Sequence, residues 1–329
     1  MSPDARGFKP LSTVLSRRCG SDPALQQLLE ILADTCINVA ERLQSSAFRR
    51  NTTIAGSQNS NGDLQKPLDL EADAIFETHL ALLPNVAALV SEERDDVHWL
   101  KEPSAGDFIV CFDPLDGSSN IDVGMVVGSI FSVFRLEEDH QPYDLLSVLS
   151  GQNQIAAGYA LYGPVTELVL GMGDWIDGYC YDPASGTFYR THPDMTIATD
   201  AKEVAINAAR EALWPSPIAQ FIRDCFTPKL SGGRGANMRW TASMVADVHR
   251  ILLRGGVFIY PEDREQNARL RLVYEANPIA FLMRSAGARA TNGRDDILSL
   301  PVNDLHQKVG VVLGACDAVT YIQTQYEKA

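Results

Sequence analysis

Residues 112–122 read FDPLDGSSNID, and this stretch follows directly on the apolar run Phe108–Phe112. A short apolar run that stops at a polar turn reads as a buried strand, so Phe108–Phe112 is predicted to be one. Pro114 and Gly117 are expected to force a sharp turn immediately after it. Such a turn brings the side chains of Asp113 and Asp116 and the Leu115 carbonyl toward one point. It also leaves the backbone amides of Gly117, Ser118 and Ser119 free to face an anion. Hard oxygen ligands suit magnesium, and exposed amides suit phosphate.

A single DPLDG string has a simpler explanation as a capped turn with two solvated aspartates, and each carboxylate taken alone reads as a surface group in a chain with 42 of them. The string is not alone. The run Ala87–Val90 reads as a second short buried strand and ends at Ser91, Glu92 and Glu93. Asp69 follows a stretch, Arg49 to Lys66, that is rich in Asn, Ser, Thr and Gly and reads as a mobile surface loop carrying Asp63. Glu275 opens a helix after the largely apolar Leu270–Tyr274. Carboxylates gathered in one site repel one another unless cations hold them, and magnesium resolves that conflict.

Further outward, Asp22 and Pro23 read as the cap and first position of a long amphipathic helix with Leu25, Leu28, Leu29, Leu32, Cys36, Val39 and Leu43 on its apolar side. Strands are expected at Ser129–Leu136, Ile155–Tyr162 and Glu167–Met172, with a hairpin turn at Asp182–Gly186. After about residue 195 helices are expected near Ala201–Leu213 and Ser243–Arg254. Strands are expected near Val257–Tyr260 and Val309–Leu313. Gly255 and Gly256 fit a helix stop, and Asn277-Pro278 fits the start of a helix through Arg284. The pattern divides the chain into halves 1–195 and 196–329 without a linker, packed tightly as a layered α/β arrangement.

With 45% hydrophobic and 21% charged residues the chain has a globular composition, and its formal charge of −14 argues against nucleic-acid or anionic-membrane partners. The opening MSPDARGFKP lacks an apolar leader, so the expected location is cytoplasmic. The six cysteines form no CxxC pair and read as reduced thiols, mostly in the core. No GxSxG, HExxH or P-loop motif occurs, and His249 reads as a structural histidine within a helix.

At VSEE (90–93), FDPLDGSSNID (112–122), SMVADVHR (243–250), GGVFIYP (255–261) and RLVYEANPIAFLMRSAG (271–287) the sequence resembles the class I fructose-1,6-bisphosphatases. These belong to the magnesium-dependent, lithium-sensitive phosphatases, and the likeness runs from Asp22 to about Tyr321. It implies a five-layer αβαβα sandwich and a homotetramer. It implies hydrolysis of the 1-phosphate of fructose 1,6-bisphosphate, in gluconeogenesis or a carbon-fixation cycle. It also implies two or three Mg2+ per subunit, with Mn2+ or Zn2+ as substitutes. The metal ligands carried over are Glu92, Asp113, the Leu115 carbonyl, Asp116 and Glu275, with Glu93 and Asp69 acting on the attacking water. The Asp116–Ser119 segment and Arg271 would hold the transferred phosphate. Asn207, Tyr260, Arg269 and Arg239, the last from a neighbouring subunit, would hold the distal one.

Three departures follow from the same likeness. Trp240 and Arg210 stand where many members have tyrosine hydroxyls, which opens the choice between fructose and sedoheptulose bisphosphates. Asp107 and Phe108 replace a Lys-Tyr pair of AMP-inhibited relatives, and Asp107 is expected to repel a nucleotide phosphate, so AMP inhibition is expected to be weak or absent. No cysteine lies in Glu137–Gln154, which argues against thioredoxin control. The competing functions are an inositol-type phosphatase and a non-catalytic sugar-phosphate sensor.

Overall fold

The computed structural model describes residues 3, 6–46, 57–58, 64–65, 67–137, 145–228, 233–265 and 268–328. Its helices are α1 (Leu11–Arg18), α2 (Pro23–Ser46), α3 (Pro67–Leu80), α4 (Leu145–Val148), α5 (Ser216–Phe226), α6 (Met244–Arg254), α7 (Asn277–Ser285) and α8 (Cys316–Lys328). The N-terminal strands are β1 (Ser57–Gln58), β2 (Leu64–Gln65), β3 (Val86–Ser91), β4 (His98–Trp99), β5 (Phe108–Asp116), β6 (Val127–Arg135), β7 (Gln154–Tyr162), β8 (Thr166–Met172), β9 (Trp175–Asp182) and β10 (Thr187–His192). The later ones are β11 (Glu203–Ala205), β12 (Asn237–Met238), β13 (Val257–Tyr260), β14 (Leu270–Arg271), β15 (Arg289–Thr291), β16 (Lys308–Val309) and β17 (Val311–Gly314).

Eight strands form one sheet in the order β10-β9-β8-β7-β6-β5-β3-β4, and five form a second in the order β12-β11-β13-β17-β15. β3 and β5 are parallel neighbours with Ser91 opposite Phe112. Both therefore run toward the same end of the sheet, and both deliver carboxylates there. Every residue of β3 and β5 is buried, as strands covered on both faces must be, and this explains their unbroken apolar reading.

The core falls into three layers of contact. Leu28 and Leu32 of α2 and Phe76 of α3 pack on Phe112, Phe131 and Leu170 on one face of the large sheet. On its other face Val245 of α6 and Ile279 of α7 lie between Ile130 and Tyr159 of the large sheet and Phe258 and Leu313 of the small one. Beyond the small sheet, Ile218 and Phe221 of α5 and Ile322 of α8 pack on Val204, Ile259 and Val312. The order of layers is αβαβα. Each buried Phe or Leu side chain contributes about 1.5–3 kcal/mol, so the two sheets and α6–α7 hold one another through a shared apolar interior.

The Asp22 cap forms as expected: Asp22 Oδ1 accepts the Leu25 N–H at 3.0 Å. Several expectations are corrected. Ala201–Leu213 is not a helix. Glu203–Ala205 is strand β11, flanked by β12 and β13, and only Ala208–Leu213 winds, as a 3₁₀ turn capped by Asn207. The sharp turn comes later than Pro114. β5 continues through an irregularity between Asp113 and Asp116, and the chain turns at Gly117, where φ is 72°. The single strand expected at Val309–Leu313 is two, β16 and β17, which serve different sheets on either side of Gly310. Winding begins before Asn277, because Leu272–Ala276 forms a π-helical turn that runs into α7. Arg49–Lys66, with Asp63, lies outside the described residues except for the antiparallel pair β1–β2.

Asp107 does not present a free charge. It is buried, takes Lys101 Nζ at 2.8 Å and accepts the Ser104 N–H at 2.8 Å, so the repulsion expected of it is compensated. All six cysteines carry free thiols, four of them buried. His249 is held between the Tyr159 hydroxyl at 3.0 Å and Glu167 at 2.8 Å. Among the described residues no helix is long and apolar enough to cross a membrane.

Candidate active site

The carboxylates converge. One carboxylate oxygen each from Asp113, Asp116 and Glu275 lies within 4.8 Å of the others, and all three residues are buried. Glu92, half-buried just past the end of β3, lies near enough that its charge raises both Asp113 and Glu275. The parallel pairing of β3 and β5 supplies Glu92, Asp113 and Asp116, and the π-helical turn supplies Glu275.

Main-chain donors fix these side chains. Asp113 Oδ1 accepts the Leu115 N–H at 2.9 Å. Asp116 points at the first turn of α6, where its Oδ2 accepts the Val245 N–H at 2.9 Å and the Ser243 hydroxyl at 2.7 Å, and its Oδ1 accepts the Met244 N–H at 3.3 Å. The positive end of α6 thus faces this carboxylate. Glu275 folds back so that its Oε2 accepts the Arg271 N–H at 2.5 Å. Gly117 cannot be replaced without displacing this junction. Its φ is 72°, and a β-carbon there would stand 2.6 Å from Ser243 Cβ.

Electrostatics makes the cluster costly as it stands. Burial pushes Asp113 and Glu275 well above the ordinary carboxylate range, and the neighbouring carboxylates push them further. Burial also raises Glu92 and Asp116, the former opposed by Arg271 and the latter by its α6 donors. Closely spaced buried oxygens that resist ionisation are the donor set that a hard divalent cation relieves, and the residues present fit one. Arg271 is buried, with Nε 3.4 Å from Glu92 Oε1 and Nη1 donating to the His306 carbonyl at 3.3 Å.

The other expected residues surround this centre or lie apart from it. Asp69 is buried in the first turn of α3, and Phe76 of the same helix stacks on Phe112 with ring centroids 4.6 Å apart, just before Asp113. Glu93 is half-buried beside Glu92, and Ser91 Oγ accepts its N–H at 3.2 Å. Gly117 leads into a 3₁₀ turn, Ser118–Val123, whose opening N–H groups precede its internal hydrogen bonding. Asn207 and Tyr260 line one small pocket with Arg210, Trp214 and Asp263. Trp240 stacks on Phe258 and meets Tyr260 at a tilt, with centroids 5.9 Å apart. Arg210 is held there by Asp263, with Nε–Oδ2 2.5 Å and Nη2–Oδ1 2.8 Å. Arg239 and Arg269 are exposed and do not line this pocket.

Two groups escaped the sequence reading. Ser243 caps α6 and donates to Asp116, and a Ser ahead of the MVADVHR helix signals the cap but not its distant partner. Arg94 binds Asp73 and Glu77 of α3, and nothing local to VSEER signals that.

Comparison with known proteins places the whole chain in one family. Residues 15–193 match the family model described as fructose-1-6-bisphosphatase, N-terminal domain, and residues 197–327 match that of the C-terminal domain. A class 1 fructose-1,6-bisphosphatase of Methylobacillus flagellatus is 44% identical over 302 residues, 90% of each chain. One from Alkalilimnicola ehrlichii is 40% identical and covers 96% of this chain and 97% of its own. The holo form of Leishmania major fructose-1,6-bisphosphatase superposes with a TM-score of 0.89 at 30% identity, covering 97% of this chain and 99% of that one. With the relatives matched almost end to end and both domain models in register, the chain belongs to the class 1 fructose-1,6-bisphosphatase family.

Proposed function

We propose that the protein hydrolyses the 1-phosphate of D-fructose 1,6-bisphosphate to fructose 6-phosphate and phosphate, using Glu92, Asp113, Asp116, Glu275 and the Leu115 carbonyl to hold two or three Mg2+, with Mn2+ or Zn2+ as substitutes. The observation that carries this reading is the meeting of three buried carboxylates within 4.8 Å beside the first turn of α6. When bound, the cations supply the positive charge that makes approach of an anionic nucleophile to an anionic phosphate affordable. Glu93, assisted by Asp69, takes the proton of the attacking water. The amides from Gly117 to Ser119, with Asp116 fixing their turn, cradle the transferred phosphate, and Arg271 adds a buried cation to it. Asn207 and Tyr260 receive the distal phosphate together with Arg269 and with Arg239 of a neighbouring subunit in a homotetramer.

The catalytic carboxylates belong mainly to half 1–195, and Glu275 with the distal-phosphate residues to half 196–329. The setting is the cytoplasm, in gluconeogenesis or a carbon-fixation cycle. A second reading, dual action on fructose and sedoheptulose bisphosphates, is favoured by one observation: Arg210, bound by Asp263, lines the pocket of Asn207 and Tyr260, and Trp240 lies against that Tyr260.

Phosphate release from fructose 1,6-bisphosphate, sedoheptulose 1,7-bisphosphate and inositol phosphates, each with and without Mg2+, tests both. Mg2+-dependent release from the sugar bisphosphates alone is expected; faster release from inositol phosphates would sink the proposal. Glu93→Gln is expected to lower turnover roughly 100-fold with KM little changed, the scale of losing a positioned base.

A further inference from the structure

The helix that carries Asp69 and the turn that carries Glu93 belong to separate elements, and something must set their separation. On α3 the carboxylates Asp69, Asp73 and Glu77 recur every fourth residue, which places them along one side of the helix. Asp73 is buried, and a stripe of like charges is unfavourable unless a cation answers it.

Arg94 supplies that cation from the residue after Glu93. Its Nε and Nη2 donate to Asp73 Oδ2 at 2.8 and 2.6 Å, and Nη2 also donates to Glu77 Oε2 at 2.7 Å. The guanidinium thus takes the second and third carboxylates of the stripe, and the first, Asp69, lies one turn earlier on the same helix. Arg94 also holds the turn from its other side. Its carbonyl accepts from His306 Nε2 at 2.9 Å, so this imidazole nitrogen carries the proton. The His306 carbonyl in turn accepts from Arg271 Nη1, and Arg271 reaches Glu92. The Glu92–Arg94 turn is therefore clamped between α3 and the Arg271–His306 pair.

We infer that Arg94 is a positioning residue for hydrolysis, a staple between α3 and the Glu92–Arg94 turn that sets Asp69 and Glu93 at one working separation. The inference rests on the roles proposed above for those two carboxylates. A misplacement of about 1 Å at a reacting group is enough to cost one to two orders of magnitude in rate.

The test compares Arg94→Met, Asp73→Asn, the double variant and Glu93→Gln in the full-length enzyme, with turnover and KM on fructose 1,6-bisphosphate, melting temperature and amide exchange over residues 67–80. Arg94→Met keeps the apolar stem and removes the fork. It is expected to lower kcat about 10-fold with KM within about twofold, and to speed exchange in α3. It also leaves the Asp73 charge buried and unanswered, so it lowers the melting temperature. The double variant removes that charge. Its melting temperature is expected to recover while kcat stays about 10-fold down, no lower than in Arg94→Met. Recovery of turnover along with stability would make Arg94 a charge neutraliser only and overturn the inference, as would wild-type kcat in Arg94→Met while Glu93→Gln is slow. Wild-type turnover in Glu93→Gln would sink the underlying roles instead, and the staple with them.

Discussion

The carboxylate centre and the distal pocket are built by opposite means. In the centre, Asp113, Asp116 and Glu275 are positioned by backbone N–H groups of Leu115, Met244, Val245 and Arg271, which belong to the frame of the fold. In the pocket around Asn207, Arg210 is placed by the Asp263 side chain, and Tyr260 lies against the tilted ring of Trp240. Main-chain donors move only if an element moves, whereas a side-chain pair changes with one substitution. On the proposed reading the chemistry is anchored in the scaffold, and any preference among sugar bisphosphates would reside in exchangeable side chains.

The sharpest way to break this contrast is Asp116→Ala. It removes both a proposed metal oxygen and the partner of three donors at the start of α6, so turnover is expected to fall roughly 1,000-fold or more, the scale of several kcal/mol of lost charge stabilisation. Calorimetric titration with Mg2+ would show the binding isotherm weakened as well; near-normal activity at saturating Mg2+ would remove Asp116 from the centre.

Next comes the pH response of the metal-free enzyme. Burial and crowding raise Asp113 and Glu275, so the folded state binds more protons than the unfolded state across the interval between their ordinary and raised values. Stability must therefore fall as pH rises from the ordinary carboxylate range. Melting curves with a chelator, taken from pH 5 to 8, are expected to show that fall, and Mg2+ to stabilise most at the alkaline end. A Mg2+ effect of equal size at every pH would contradict the assigned cause.

Asp247, on α6 between the two regions, gives a smaller effect. Burial is the main cause that lifts it to about 6, against its hydrogen bonds from Thr241. Because its folded value is raised, its cost appears as pH climbs past the ordinary range and is complete above 6, at about 3 kcal/mol. Asp247→Asn, which keeps one acceptor for the Thr241 N–H, is expected to stabilise the protein by about 1–2 kcal/mol at pH 8 and not at pH 4 in urea denaturation. The gentlest perturbation is Asp263→Asn. It loosens Arg210, and the ratio of KM values for fructose and sedoheptulose bisphosphates is expected to shift by about threefold to tenfold with kcat held, the range of one altered charge-assisted contact. An unchanged ratio would place specificity elsewhere.

Much of the centre was legible because its signals are local. A buried parallel strand reads as a continuous apolar run, and a run that stops in carboxylates marks the end of such a strand, as at Val90–Glu92 and Phe112–Asp116. The failures are long-range. Ala201–Leu213 carries helix-forming alanines, yet main-chain pairing of Glu203–Ala205 with two neighbouring strands outweighs that weak preference. The Ser243 hydroxyl meets Asp116 across 127 positions, and no pattern within a single segment encodes such a meeting. Arg94 reads as one more surface cation until α3 is folded against its turn.

The π-helical turn Leu272–Ala276 carries a consequence for how this protein tolerates insertions and deletions. A turn wound with five residues per hydrogen-bonded step holds one residue more than ordinary α winding requires. Removing any single residue there would restore α geometry at little cost to the helix, but each residue subtends about 100° of rotation, so Glu275 would swing away from Asp113 and Asp116. Loss of length in this segment would leave a well-wound, well-packed helix in an enzyme stripped of one carboxylate of its proposed metal centre.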